Sequence, residues 1–191
     1  MTAHAFTAHD GATGLTGEPG PDASAFRAAF RSAVGTVSVI TAGGPLRPVG
    51  FTATSLVSVS VDPLYVSFNI SRGASSWPTV RRAGHVAAHL LHRDQQDVAT
   101  AFATSGIDRF AAAGSWASGP HGLPVLDRAL ARLILAIRSR THVGDSAVVL
   151  AEVVDIEHTP GAPLAYHDGG YREIAPTLPA PASAPAPTPD R

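Results

Sequence analysis

Between residues 35 and 173 the chain is dominated by short runs in which β-branched or aromatic residues recur at every second position, broken by glycine, proline and aspartate. A period of two sends successive side chains to opposite faces of a strand, so such a chain needs a sheet with a face to bury. Val37, Val39 and Thr41 alternate with Thr36, Ser38 and Ile40 up to the turn Gly43-Gly44-Pro45. The run 49–61 reads as one long strand with Val57, Val59 and Val61 opposite Ser58 and Ser60. After Asp62-Pro63, Leu64, Val66, Phe68 and Ile70 make the apolar face of a strand that pairs with it as a hairpin. Residues 130–143 and 147–158 are further β-rich segments around Gly144-Asp145, and 164–166 with 171–173 flank a turn at 168–170. Strands predominate without regular strand-helix-strand alternation, so the expected fold is mainly β with flanking helices, an antiparallel barrel rather than a doubly wound sheet.

The helices are few and short. Asp22 and Ser24 precede Phe26, Ala29, Phe30 and Ala33, the spacing of a capped helix with an apolar face, which Gly35 ends. Trp77-Pro78-Thr79-Val80 fits a short helix with proline in its first turn, followed by a brief strand over 86–91. Asp94 is placed to cap a helix carrying Val98, Ala101 and Phe102. Residues 106–122, with Asp108, Arg109, Phe110 and Trp116, read as a long connection of the kind that often carries function.

With 191 residues and 45% hydrophobic content, the chain can bury one sizeable core. The folded domain is expected at 23–175. Residues 1–22 form a glycine-bearing flexible segment, and 176–191 a disordered tail of Pro with Ala, Ser and Thr. A net charge of −1 with no block of like charge supplies no footprint for nucleic acid. Without cysteine there is no disulfide framework, thiolate zinc site or cysteine nucleophile. The N-terminus lacks the basic and apolar regions of a secretory signal, and no apolar stretch reaches membrane-spanning length, so a cytoplasmic protein is expected.

Several chemistries are disfavoured by spacing. Gly11, Gly14 and Gly17 do not follow a strand, so they are not a dinucleotide fingerprint, and there is no phosphate-loop lysine motif. His89 and His92, three apart on a strand, point to opposite faces without a third ligand, and read as surface or loop histidines rather than metal ligands. No Gly-x-Ser-x-Gly elbow presents a serine nucleophile.

The informative pair of segments is 50–55, Gly-Phe-Thr-Ala-Thr-Ser, and 69–77, Asn-Ile-Ser-Arg-Gly-Ala-Ser-Ser-Trp. Pairing of their strands brings two hydroxyl-rich stretches together. Small side chains let a flat aromatic ring approach the backbone, while hydroxyls, amides and an arginine near a helix start hold a phosphate without a glycine loop. A flavin mononucleotide needs both features. On composition alone, the solvent face of a barrel strand is the favoured reading of these hydroxyls.

In order and spacing, these segments resemble the flavin reductase domain family. The resemblance runs through 30–41, 50–55 and 71–77, takes in Gln95, Ala99 and Phe102, and resumes at 108–110, 122–126, 144–145 and 163–171. It implies a flavin-binding split barrel, usually homodimeric. The implied activity is the NADH- or NADPH-dependent reduction of FMN or FAD for a separate oxygenase partner. It also implies that Thr52, Ala53, Thr54, Ser55 and Leu56 contact isoalloxazine and ribityl, and that Asn69, Ser71, Arg72, Ser75 and Ser76 contact ribityl and phosphate. Phe110, His89, Asp145, Ser146 and Tyr171 fall at further cofactor-side positions.

Two departures bear on function. Many members carry histidine, associated with nicotinamide binding in some reductases, where this chain has Ser146, and asparagine where it has His89. The flavin carries the chemistry, so no catalytic acid, base or nucleophile is implied. A flavin-binding module without efficient reductase activity, and a related split barrel holding deazaflavin or pyridoxal phosphate, stay open as alternatives.

Overall fold

The computed structural model describes residue 20 and residues 22–174. The expectations for the segments 1–22 and 176–191 lie almost wholly outside these residues. Helix α1 (Ala23–Arg31) is followed by strands β1 (Gly35–Thr36), β2 (Ser38–Ala42), β3 (Val49–Ala53), β4 (Val57–Val61) and β5 (Leu64–Ser71). Next come helix α2 (Trp77–Val80), strand β6 (His85–Leu90), a 3-10 turn (Arg93–Gln95) and helices α3 (Gln96–Ala103) and α4 (Arg109–Ala113). The chain closes with β7 (Trp116–Ser118), a second 3-10 turn (Pro120–Gly122), β8 (Pro124–Leu126), β9 (Ala131–Val143), β10 (Ser146–His158), β11 (Leu164–His167) and β12 (Gly170–Glu173).

Seven strands form the main sheet in the order β3-β2-β6-β9-β10-β5-β4, with antiparallel pairing throughout. The two edge strands, β3 and β4, are consecutive in the chain, joined by residues 54–56 alone. Four residue steps from Ala53 to Val57 reach at most about 14 Å. A flat sheet of this order would hold its edges roughly 29 Å apart, six spacings of about 4.8 Å. The short link therefore obliges the sheet to curl until its edges nearly meet, giving a barrel split along one seam. A small sheet β1-β11-β12 and the pair β7-β8 flank it.

The barrel interior holds Ile40, Phe68, Val86, Leu135 and Val149, all but inaccessible to solvent. A second apolar cluster, Val37, Val39, Leu91, Phe102, Phe110 and Leu126, packs α3 and α4 against the outside of the sheet. Gly50 lies at that junction. A Cβ there would stand 2.5 Å from the Phe102 ring, so only glycine lets α3 come this close.

Four expectations are corrected. The run 49–61 is two strands: the chain leaves β3 at Thr54 and starts afresh as β4, and only β4 forms the hairpin with β5. Val57, Val59 and Val61 are 53%, 54% and 80% exposed, because β4 is an edge strand whose outer face meets nothing among the described residues. Residues 106–122 are not a structureless connection. Asp108 accepts the amide N–H groups of Phe110 and Ala111 and starts α4, and the chain then enters β7. Asp94 does not cap α3; the capping residue is His92, at the start of the 3-10 turn that leads into α3, where its Nδ1 accepts from the Asp94 amide and its own N–H donates to Gln95 Oε1.

His89 is not a surface or loop histidine. Its ring is fully buried between β2 and β8, with Nδ1 donating to the Val39 carbonyl at 3.1 Å and Nε2 accepting from the Leu126 amide at 3.1 Å. Those two bonds fix a neutral ring protonated at Nδ1. Burial foremost, with Arg132 adding repulsion against the bond to Val39, pulls its pKa down to about 4.

Candidate cofactor site

At the seam where β3 gives way to β4, the chain opens a cleft of about 700 Å³, lined by 51–55, 69–71, 73–75, 102–103, 105–106 and Arg109. That volume lies within the range of small-molecule sites. One wall is the end of β3 and the link to β4. Ser55 Oγ accepts the Asn69 amide at 2.9 Å and ties the link across to β5. Thr52 Oγ1 donates to the Ala99 carbonyl of α3 at 2.7 Å, so Thr52 braces the wall, whereas Thr54 is exposed beside it. The opposite wall is the loop after β5, shaped by Ser71 Oγ accepting the Gly73 amide at 3.2 Å and by Ala74 N–H donating to Ser71 O.

That loop ends in an anion cradle. Among the described residues, the amide N–H groups of Ser75 and Ser76 have no hydrogen-bond acceptor. Ser75 is exposed, while Ser76 is buried with its hydroxyl donating to Gly50 O at 2.9 Å. The Arg109 guanidinium closes the cradle from α4. Its Nε donates to Thr104 O at 2.8 Å, and its Nη1 to Gly50 O at 2.8 Å and to Ser75 Oγ at 3.3 Å. Two unpaired amides, the Ser75 hydroxyl, which accepts from Arg109 and keeps its own proton to donate, and a fixed cation are what a phosphate monoester requires. The small side chains Ala53, Thr54, Gly73 and Ala74 leave a planar ring free to lie against the backbone. The donor set therefore fits a phosphorylated ring cofactor.

Nine sequence-assigned residues line this region: Thr52, Ala53, Thr54, Ser55, Asn69, Ser71 and Ser75 in the cleft, with Ser76 and Phe110 in an adjoining one that shares Ser75 and Arg109. Six others lie elsewhere. Leu56 packs against the barrel core. Arg72 turns its guanidinium to Gly144 O at 3.2 Å, and its amide donates to Asp145 O, so Arg72 joins the loop to the β9–β10 turn rather than to the cradle. Asp145 and Ser146 sit in that turn, bonded to each other at 2.8 Å. Tyr171 is half-buried with the outer cluster, its ring edge-on to Tyr166 at 5.4 Å. His89 is enclosed in the core. Arg109 is the residue sequence reasoning passed over; its place beside Phe110 in the quoted 108–110 segment was the available signal.

A curled sheet with unpaired amides and a fixed guanidinium beside a cleft at its seam has the room and the donors for a phosphorylated ring ligand. Residues 30–175 match the model of the flavin reductase like domain, and the chain belongs to this family. It is similar to the NADH:FMN oxidoreductase of Rhodococcus qingshengii, with 37% identity over 79% of this chain and 81% of that one. Its fold is similar to that of a flavin reductase domain protein from Arthrobacter sp. FB24, with TM-score 0.76, 36% identity and 81% and 97% of the two chains covered. It is also similar to a nitrilotriacetate monooxygenase component B from Mycobacterium thermoresistibile, with TM-score 0.76, 29% identity and 84% and 91% covered. The resemblance read from the sequence is thereby borne out, and with it the split-barrel fold.

Proposed function

We propose that this chain is an NADH- or NADPH-dependent flavin reductase that binds FMN or FAD in the seam cleft and supplies reduced flavin to a separate oxygenase component. The observation that carries the reading is the cradle of Ser75, Ser76 and Arg109 at the end of a cleft walled by small and hydroxyl side chains. Bound flavin supplies the two-electron acceptor for a hydride from the nicotinamide. The protein's part is to position: Arg109 and the Ser75 and Ser76 amides hold the phosphate, and Ala53 and Thr54 leave room for the ring. Arg72 ties the β9–β10 turn with Asp145 and Ser146 to the loop after β5, and on this reading that turn would meet the nicotinamide. The reaction belongs in the cytoplasm, where pyridine nucleotide is reduced, and no helix among the described residues is long and apolar enough to cross a membrane.

A homodimer is part of this reading. Phe26, Phe30 and Val34 beside α1 are 60%, 64% and 66% exposed, and the valines of β4 add a second bare apolar face. Uncovered apolar surface of this kind marks an interface. Anaerobic mixing with FMN or FAD and excess NADH or NADPH is the test: bleaching of the flavin band at catalytic protein concentration supports the proposal. No acceleration over nucleotide and flavin alone, with any of the four pairs, refutes it.

A further inference from the structure

Away from the seam, a cleft of about 690 Å³ opens where α2 ends, and none of its lining residues belongs to the cofactor cleft or its neighbour. Its polar side chains come from separate segments: Thr79 of α2, Arg82 after it, His85 at the head of β6 and His121 in the second 3-10 turn. The His85 and His121 rings are stacked, with centroids 4.0 Å apart and planes 7° from parallel. Parallel rings direct their nitrogen lone pairs side by side rather than at one point, so the pair is no metal chelate. No carboxylate lines the cleft, and among the described residues the side chains of Thr79, Arg82 and His121 have no hydrogen bond or ion pair. We propose that this cleft is a second anion site, which takes the phosphate group of a small metabolite. The Arg82 guanidinium and the Thr79 hydroxyl donate to its oxygens, and the stacked imidazoles add a positive charge that grows as the pH falls.

Three observations support the assignment. Gly44 and Gly84 both line the cleft; neither has a left-handed φ, and a Cβ at either would meet no atom within 4 Å, so what their missing side chains leave is room. His121 is left-handed, at φ 56°, a conformation that costs a non-glycine residue energy, and it is the one in which its ring lies on His85. Arg140 of β9 donates to the Val80 and Ala83 carbonyls, which covers the oxygens at the end of α2 that would repel an anion. Burial first, then His121 and Arg138, holds the His85 ring below its ordinary pKa. The charged groups around that ring are His121 from the turn, Arg82 from the end of α2, and Arg138 of β9, which is bonded to Glu152 of β10 at 2.8 Å. An anion beside the two rings favours their protonated forms, so it binds more tightly at lower pH.

The test is calorimetric titration of the full-length chain with pyrophosphate, in Arg109→Met so that the seam cradle lacks its cation, and in that background with Arg82→Gln or Gly84→Val added. Arg82→Gln removes the guanidinium fork, and Gly84→Val fills the cleft without touching a charge. Each should weaken pyrophosphate about tenfold. Less than a threefold loss in either, or no binding by Arg109→Met itself, overturns the site; should Gly84→Val lower the Tm, Arg82→Gln alone decides. Sulfate, a dianion throughout this range, should bind Arg109→Met at least threefold more tightly at pH 6.0 than at pH 8.0, and equal affinity at the two overturns the part given to the imidazole pair. The outcome does not depend on whether the seam binds flavin.

Discussion

His89 makes the fold sensitive to acid in a way that one substitution exposes. In the unfolded chain its imidazole takes a proton with the ordinary pKa of 6.5; in the folded chain it does so only at about 4. Between these values the unfolded state binds more protons, so stability is complete above pH 6.5 and falls as the pH drops toward 4. The slope approaches about 1.4 kcal/mol per pH unit, and the loss sums to something on the order of 3 kcal/mol. The structural cause is specific. A proton on Nε2 would face the Leu126 amide N–H, donor against donor, inside a site without solvent. His89→Gln replaces the imidazole with an amide, which has a donor and an acceptor but cannot titrate. At pH 7.5 it should cost about 1–2 kcal/mol, because one of the two bonds to Val39 and Leu126 is lost. Below pH 5 the order should reverse, with the variant more stable than the parent. Urea denaturation of both proteins at pH 7.5, 6.0, 5.0 and 4.5 measures this. Stability curves that run parallel across that range would refute the argument.

Arg109→Met should weaken FMN binding by about ten- to a hundredfold through loss of a charge-assisted contact, and leave riboflavin, which has no phosphate, nearly unaffected in the same titration. Ser146→His should lower the KM for NADH or NADPH, or raise kcat, with flavin affinity kept within a few-fold; unchanged steady-state kinetics would leave Ser146 as a turn residue only. Gly50→Ala drives a methyl to 2.5 Å from the Phe102 ring and should lower stability by about 1–3 kcal/mol, visible as a fall in Tm. Phe30→Glu should shift the protein toward monomer in light scattering without changing the Tm of the protomer, since Phe30 is 64% exposed.

What could be read before the structure was known follows from local physics. The β9–β10 and β11–β12 hairpins are announced by alternation on each side of glycine-bearing turns, Gly144 at φ 57° and Gly169 at φ 77°. The break between β3 and β4 has no such mark. Thr54 and Ser55 continue a β-favouring run without glycine or proline, and the strand ends there because β3 pairs with β2 and β4 with β5, which lie at opposite ends of the sheet order. Helix α4 spans five residues, too few for a period to emerge, and exists because Asp108 caps it while Phe110 packs on Phe102. The two hydroxyl-rich walls of the cleft were legible as composition. The role of Arg109 was not, since the 108–110 segment marks its place while the acceptors its guanidinium reaches, on Gly50, Ser75 and Thr104, are set by tertiary proximity.

The three-residue link at the seam also governs how the protein emerges during synthesis. By the time Ser71 has been added, the β2–β3 and β4–β5 hairpins can close, yet the inner edges of β2 and β5 wait for β6 and β10. At roughly 5–20 residues per second, β10 is complete only about 4–17 s later. The β2 edge is covered as soon as β6 is made, but the inner edge of β5, the strand that carries Val66, Phe68 and Ile70, stays open until β10 arrives. The architecture that places a cleft at the seam thus delivers its outer strands first and its spine last, and a chain halted before residue 146 would leave the inner edge of β5 without its partner strand.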